Sequence, residues 1–284
     1  MLVDLQKNPE AIADRQFDVC VIGAGAAGVT LARELMRAGH SVCLAESGGT
    51  DFEEKTQALY RGDNIGHEYY PLEESRLRFF GGTLSIWGGR CALLDDIDFA
   101  KRDWVPHSGW PITRDEVMPY WRRAQDIFDI GPFEWDDAYR LCGIPDQGFS
   151  PGKLATDLWR FDESTERFVG SRVRDLIDAP NLTILLHANA THIQASANGA
   201  EVEHVEVRTL AGQSARIRAR HFVLACGAIE NVRLMLASDD VMAGGTGAGS
   251  GPAGRVFMEQ APRPDGQGGE APRGALHEPL LQVR

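Results

Sequence analysis

Six residues, Gly23-Ala24-Gly25-Ala26-Ala27-Gly28, follow directly on an apolar run from Val19 to Ile22, and that order leaves few folds open to the chain. Glycines at this spacing permit a tight turn at Gly23, close approach of backbone to a ligand at Gly25, and close packing of helix on strand at Gly28. Beyond them Val29, Leu31, Ala32, Leu35 and Met36 recur at helical spacing, Gly39 is placed to end the helix, and Val42 to Ala45 reads as a second strand. The pattern is the βαβ start of a parallel sheet. Glu46 closes the second strand 21 residues beyond Gly25, where a carboxylate accepts hydrogen bonds from ribose hydroxyls and disfavours a 2′-phosphate. The helix N-terminus, opening at Ala26, faces the negative charge of a pyrophosphate. A bare glycine turn beside a solvated glutamate is the competing reading; strand, helix, second strand and acid together favour a dinucleotide site.

The third strand of that unit is delayed. About 130 residues intervene before Leu182 to Leu186, an unbroken apolar run of the kind buried on both faces of a sheet. Thr191 to Ala195, Glu201 to Leu210 and Ala215 to Arg220 follow, separated by Asn198-Gly199 and Ala211-Gly212, which predicts an antiparallel β-meander. His221 to Ala225 then reads as a further strand running into Cys226-Gly227-Ala228, with a helix behind it in which Ile229, Val232, Arg233 and Leu236 share a face. A strand-glycine-helix turn thus occurs twice. Within the insertion, Thr113-Arg114-Asp115-Glu116 has capping-box spacing and opens a helix reaching about Asp129, with a kink at Pro119. A second helix is expected from Ser164 to Ile177. Residues 243–254 are half glycine, and residues 261–284 are rich in Pro, Gly and Arg without periodicity, which predicts a disordered tail.

The delayed third strand, the meander and the late glycine turn argue for FAD rather than NAD, since a nicotinamide half continues β-α-β within about 30 residues. The arrangement resembles the glutathione-reductase type of flavin fold, an α/β Rossmann fold with a β-meander. That resemblance implies that Ala190, opening the meander, lies beside the adenine and that Cys226 and Gly227 close over the nucleotide.

Arg78-Phe79-Phe80-Gly81-Gly82-Thr83-Leu84-Ser85-Ile86-Trp87-Gly88-Gly89-Arg90 sets four glycines around a short apolar stretch, so that backbone can press against a flat ligand and donate N–H groups to its oxygens. This segment resembles the first signature of the glucose-methanol-choline oxidoreductases, which lies along the flavin. Cys226-Gly227-Ala228-Ile229-Glu230-Asn231-Val232-Arg233-Leu234 resembles their second signature. Trp104-Val105-Pro106-His107-Ser108-Gly109-Trp110-Pro111-Ile112 is similar to the sugar- and polyol-oxidising branch that includes pyranose oxidase. The resemblance covers about Phe17 to Glu259. It implies FAD contacts from Gly81, Gly82, Thr83, Trp87 and Gly88, a partial substrate domain beside the flavin fold, and hydride transfer from the CH–OH carbon of a small alcohol, polyol or sugar to the flavin. The electron acceptor is left open. Trp87 stands where glucose-oxidase-like members carry asparagine, and Ile86 where pyranose oxidase carries the histidine joined to its flavin, so noncovalent FAD is expected.

In the resembling family the base is a histidine partnered by histidine or asparagine in a C-terminal segment. The likeness stops after Gly254-Arg255-Val256-Phe257-Met258-Glu259, so the expectation is a truncated chain, inactive by itself, with no catalytic residue assigned. The expected division is an FAD-binding βαβ over 17–66, an insertion with the glycine loop and a helical cap over 67–180, the strand, meander and closing turn over 181–240, and a glycine- and proline-rich tail over 241–284. Two other readings are a noncatalytic FAD-binding fragment or subunit and an NAD-dependent dehydrogenase.

Composition narrows the partners. With 29 Lys and Arg against 41 Asp and Glu, a net charge of −12 and no basic run, a polyanion is repelled and nucleic acid is not expected as a partner. No stretch reaches 18 apolar residues, so neither signal peptide nor membrane span is expected. The five cysteines are odd in number and include no C-x-x-C pair, which suits buried free thiols in a cytoplasmic protein. His67, His107, His187, His192, His204, His221 and His277 show no metal-binding spacing, and no metal is expected. His107, between Trp104 and Trp110, reads either as lining a substrate pocket or as part of an aromatic loop packed on the flavin domain. Glu53-Glu54 and the acidic cluster of Asp95, Asp96 and Asp98 read as solvated loops.

Overall fold

A computed structural model describes residues 1–66, 69–135, 143, 159–162, 164, 168–247, 249, 251 and 253–255. His67, His277, positions 165–167 of the expected second helix and the expected tail over 261–284 lie outside the described residues. The chain divides into one unit of Met1–Ile86 with Glu166–Glu259 and another built on Trp87–Thr165. In chain order the first unit begins with β1 (Leu2–Asp4), β2 (Gln16–Ile22), α1 (Ala26–Arg37), β3 (Val42–Ala45) and α2 (Glu54–Gln57). The second unit contributes β4 (Arg90–Cys91), α3 (Asp96–Phe99), α4 (Arg114–Phe128) and β5 (Arg160–Phe161). The first unit resumes with α5 (Arg174–Asp178), β6 (Leu182–Leu186), β7 (Asn189–Ala195), β8 (Val202–Arg208), β9 (Ser214–Leu224) and α6 (Ala228–Leu236).

The first unit is a seven-stranded sheet in the order β1-β6-β3-β2-β9-β8-β7. Its β1, β6, β3, β2 and β9 pair in parallel, and β9, β8 and β7 pair antiparallel. Every residue of β3 and β6 is buried, as unbroken apolar runs demand in a sheet covered on both faces. On α1, Val29 and Ala32 bury fully, while Leu31, Leu35 and Met36 are half-buried. The same helix buries Arg33, off the expected apolar stripe, because its guanidinium forks onto Asp175 at 2.8 and 3.1 Å.

Three expectations change in this unit. His221 to Ala225 is not a separate strand. It continues β9, whose first four residues pair with β8 while Arg218 to Leu224 pair with β2. No turn former interrupts Arg220-His221, so one strand serves both halves of the sheet. The helix expected from Ser164 to Ile177 is a 3-10 turn at Gly170–Val173 followed by α5; Gly170, at φ +58°, breaks the helical course. On α6 the buried residues are Glu230 and Leu234, four apart, and the expected face ends instead at a 40% exposed Leu236. Edge strand β1 has no apolar run to reveal it. It is held by pairing with β6 and by the Met1 amino group, which donates to the Leu182 carbonyl at 2.7 Å.

In the second unit β4 and β5 form a short antiparallel ribbon. The Asp95-Asp98 cluster is not a solvated loop: Asp95 and Asp98 form a capping box that starts α3. Helix α4 starts at the expected capping box, continues through Pro119 and ends at Asp129, which adopts the left-handed conformation at φ +51°. Phe99 packs on Trp121 with ring centroids 6.1 Å apart, but Trp104 and Trp110 are 76% and 59% exposed rather than packed.

Candidate cofactor site

Three turns meet because three adjacent parallel strands end level with one another. Ile22 of β2 stands in register with Ala45 of β3 on one side and Leu224 of β9 on the other. The next residues are therefore Gly23, Glu46 and Ala225-Cys226, all at the carboxyl ends of strands. The chain runs from β2 outward through β3 to β6 and then returns to the other side of β2 as β9. Open α/β sheets bind ligands at such a reversal.

The glycines divide by what surrounds them. Gly23, at φ +101°, donates its N–H to the Ala45 carbonyl at 2.8 Å, and a Cβ there would stand 2.6 Å from the Ala225 oxygen. A Cβ on Gly28 would overlap the Gly23 carbonyl. These two are fixed by packing. Gly25 differs: an added Cβ meets nothing within 4 Å. It caps α1 with no side-chain hydrogen bond, and the first turn holds no acidic residue, so the N–H groups from Ala26 onward keep their donors and their positive partial charge. Over this turn comes the expected glycine loop. Gly81 donates its N–H to the Ala24 carbonyl at 2.9 Å, and a Cβ on Gly82 would sit 3.3 Å from Gly25 Cα. Gly227, at φ +82°, also faces open space.

Glu46 is 5% exposed and already engaged. One carboxylate oxygen accepts from the Ala24 N–H at 2.9 Å; the other accepts from the Gly48 N–H at 2.9 Å and the Ser47 hydroxyl at 3.3 Å. The side chain thus ties the turn after β2 to the turn after β3, and the oxygen bonded to Ala24 keeps a further lone-pair direction. The Ala188 N–H donates to the Glu46 carbonyl at 2.8 Å, which brings the start of β7, and with it Ala190, to this end of the sheet. At the third turn the Cys226 N–H donates to Asn231 Oδ1 at 2.9 Å, and Asn231 Nδ2 donates to the Leu224 carbonyl at 3.2 Å. Burial, with the Glu46 and Glu230 carboxylates nearby, pushes the Cys226 thiol up to about 12, so it stays a neutral thiol rather than a nucleophile.

Thr83 is exposed and its hydroxyl accepts from the Leu77 N–H at 3.2 Å. Trp87 and Gly88 lie in the second unit, where the Trp87 ring packs 5.6 Å from Phe128.

Residue-by-residue reading missed two side-chain groups here. One is Arg78 with Glu230, each inside a segment singled out for its glycines; a charged residue in an otherwise apolar signature is the signal that could have found them. The other is His187, expected as an ordinary histidine. Its Nδ1 lies 2.9 Å from Asp4 and its Nε2 2.9 Å from Glu53, so Glu53 is not a solvated loop residue. Burial opposes the charged ring, and the hydrogen bonds it donates to both carboxylates outweigh that effect, so the His187 pKa is raised. Among the described residues, no group of three or more His, Cys, Asp or Glu is placed to hold a metal ion, and no helix is long and apolar enough to cross a membrane.

Residues 18–243 match the family described as FAD dependent oxidoreductase. A 6'''-hydroxyparomomycin C oxidase of Streptomyces lividus is 27% identical over 80% of this chain and 51% of its own length. Choline oxidase of Arthrobacter globiformis is 24% identical over 81% of this chain and 51% of its own. Both are glucose-methanol-choline oxidoreductases, in keeping with the two signatures. The chain spans about half the length of these relatives. The solved structure of pyridoxine 4-oxidase from Mesorbium loti is 19% identical, covering 78% of this chain and 51% of that one with a TM-score of 0.49.

Proposed function

This chain belongs to the FAD dependent oxidoreductase family, with FAD rather than NAD as its cofactor, and from that premise we propose that it forms the flavin-binding portion of an oxidoreductase acting on CH–OH groups of small alcohols, polyols or sugars. The observation that carries this reading is the meeting of the turns at Gly23, Glu46 and Cys226 with the Gly81–Gly82 loop, around a helix N-terminus left uncapped at Gly25. The fit is chemical as well as steric. Open space at Gly25 and Gly227 admits a ligand where packing fills the space at Gly23 and Gly28, and the free N–H groups of α1 suit a pyrophosphate.

On this reading Gly25, Ala26 and Gly28 present the helix end to the pyrophosphate, and Glu46 uses its remaining acceptor capacity on the ribose. Ala190 flanks the adenine, and Cys226 with Gly227 closes the pocket. Gly81, Gly82 and Thr83 run along the flavin. FAD supplies the hydride acceptor; the chain's own residues bind and orient it. The relatives named above, acting on a hydroxyparomomycin and on choline, support a small hydroxyl-bearing substrate. The free thiols of Cys20 and Cys43, buried on neighbouring strands, support a cytoplasmic location.

The test is titration of apoprotein with FAD, followed by flavin fluorescence. Tight binding is expected. Glu46→Ala should weaken it about 10- to 100-fold, the effect of losing charge-assisted hydrogen bonds. Wild-type protein that ignores FAD would sink the site reading, and unchanged affinity in the variant would remove Glu46 from it. Bleaching of the flavin band by an added polyol separates a catalytic chain from a noncatalytic FAD-binding subunit.

A further inference from the structure

Beside the three turns lies a buried charge cluster that the cofactor reading does not use. Glu230, 6% exposed at its side chain, accepts from Arg78 at 3.0 Å and from Arg233 at 2.7 Å, and pairs with Arg76 at 3.3 Å. The guanidinium carbons of Arg76 and Arg78 each lie 4.1 Å from the centroid of the Tyr60 ring. Burial pushes the Tyr60 hydroxyl up to about 12, so the ring stays neutral and adds no countercharge. One carboxylate therefore answers three cations. The Nε atoms of Arg76 and Arg78 are buried without a hydrogen-bond partner; Arg78 also donates from Nη1 to Asn189 Oδ1 at 3.4 Å, but among the described residues Glu230 is the carboxylate that pairs with both guanidinium groups. A buried pair that loses one member leaves an uncompensated charge, which is strongly unfavourable.

The connectivity gives the cluster a purpose. Glu230 and Arg78 are 152 residues apart in sequence, one in the helix behind the Cys226-Gly227 turn, the other three residues ahead of Gly81. Gln57 receives the Arg78 N–H at 3.0 Å, so the backbone of Arg78 is fixed from one side and its side chain from the other. Gly81 then donates to Ala24 and Gly82 presses on Gly25. We infer that Glu230 is a positioning residue of the cofactor site: through Arg78 it holds the Gly81–Gly82 backbone over the Gly25 turn, so that the pocket has its shape before FAD arrives. The inference rests on the reading that FAD binds at these turns.

The test uses the full 284-residue chain as apoprotein, in wild type, Glu230→Asp, Glu230→Gln, Arg78→Gln and the double variant Glu230→Gln with Arg78→Gln. Three quantities are read: FAD affinity, melting temperature, and amide hydrogen exchange at Gly81. Glu230→Asp keeps the charge but shortens the reach by one methylene, so it should fold while losing about tenfold or more in FAD affinity and exposing the Gly81 amide to exchange. The two Gln substitutions should be non-additive, the double variant binding FAD no worse than Glu230→Gln alone, because they break the same link. A lowered melting temperature with unchanged FAD affinity and a protected Gly81 amide would make Glu230 a purely structural ion pair and overturn the inference. Additive losses would show that it does not act through Arg78. Wild-type protein that fails to bind FAD would bring down the site reading itself, and this inference with it.

Discussion

Helix α4 begins at Thr113, whose hydroxyl accepts from the Glu116 N–H at 3.4 Å while Glu116 accepts from the Thr113 N–H at 2.7 Å; helix α1 begins at Gly25 with no capping side chain and no acid in its first turn. Both stretches have a strong helical pattern, and both helices form. The difference lies in who satisfies the first N–H groups. In α4 the chain does so itself, as a helix needs when nothing else will approach its end. In α1 no capping side chain takes the donors, while Gly23 and Gly28 press the turn so tightly onto β2 and Ala225 that the helix end is held without a cap. On the proposed reading, the uncapped start of α1 is what a pyrophosphate would use.

Substitution at Gly28 should have the largest effect. In Gly28→Val the new side chain must displace the Gly23 carbonyl, and overpacking of about 3 kcal/mol exceeds the gain of under about 1 kcal/mol from replacing a helical glycine. Urea unfolding should show the loss, and FAD binding should disappear with it. Near-normal stability would mean that helix and strand are not in the contact described.

Gly25→Asp should separate ligand from fold. The backbone there is extended, at φ −80° and ψ −169°, and a Cβ meets nothing, so aspartate can cap α1 as Thr113 caps α4. Apoprotein stability should change by less than about 1 kcal/mol. FAD affinity should fall by about 100-fold or more, since a carboxylate then occupies the anion's place. Retained FAD binding would break the comparison, because the donors of α1 would not be what the pyrophosphate needs.

Thr113→Ala removes the cap of α4 and should cost about 1 kcal/mol without altering FAD affinity, as thermal unfolding and FAD titration can establish together. The smallest effect is in pH. Hydrogen bonds from the Thr113 N–H and hydroxyl hold the Glu116 pKa below its ordinary value. A depressed folded value means stability that is present above the ordinary glutamate pKa of about 4.3 and is lost as pH falls through the folded value. The difference in melting temperature between wild type and Glu116→Gln should therefore narrow as the solution is acidified below about pH 4.3. A difference that stays constant would remove the charge of Glu116 from the cap.

Local chemistry alone determined much of this protein. The run Val19 to Ile22, the glycines after it, the helical stripe of α1, the apolar strands β3 and β6, and the capping box of α4 all lie where reading along the chain puts them, because each depends on neighbours within a turn or two. Turn residues likewise placed the meander, with Gly199 and Gly212 both at positive φ.

What only the tertiary structure decided are the pairings between distant segments. Edge strand β1 exists because β6 offers it a partner, and β9 is one strand because its two halves serve different neighbours. Arg33, Arg78 and Glu230 are buried although their residue types favour the surface, since each finds an opposite charge more than 140 residues away. Glu46 was legible as the acid at the end of β3, but its bonds to Ala24 and Gly48 were not. The physical reason is the same throughout. Periodicity and capping are short-range and leave their mark on adjacent residues, whereas the desolvation of a charge is offset only by a partner that folding brings to it, and a sequence carries no trace of that distance.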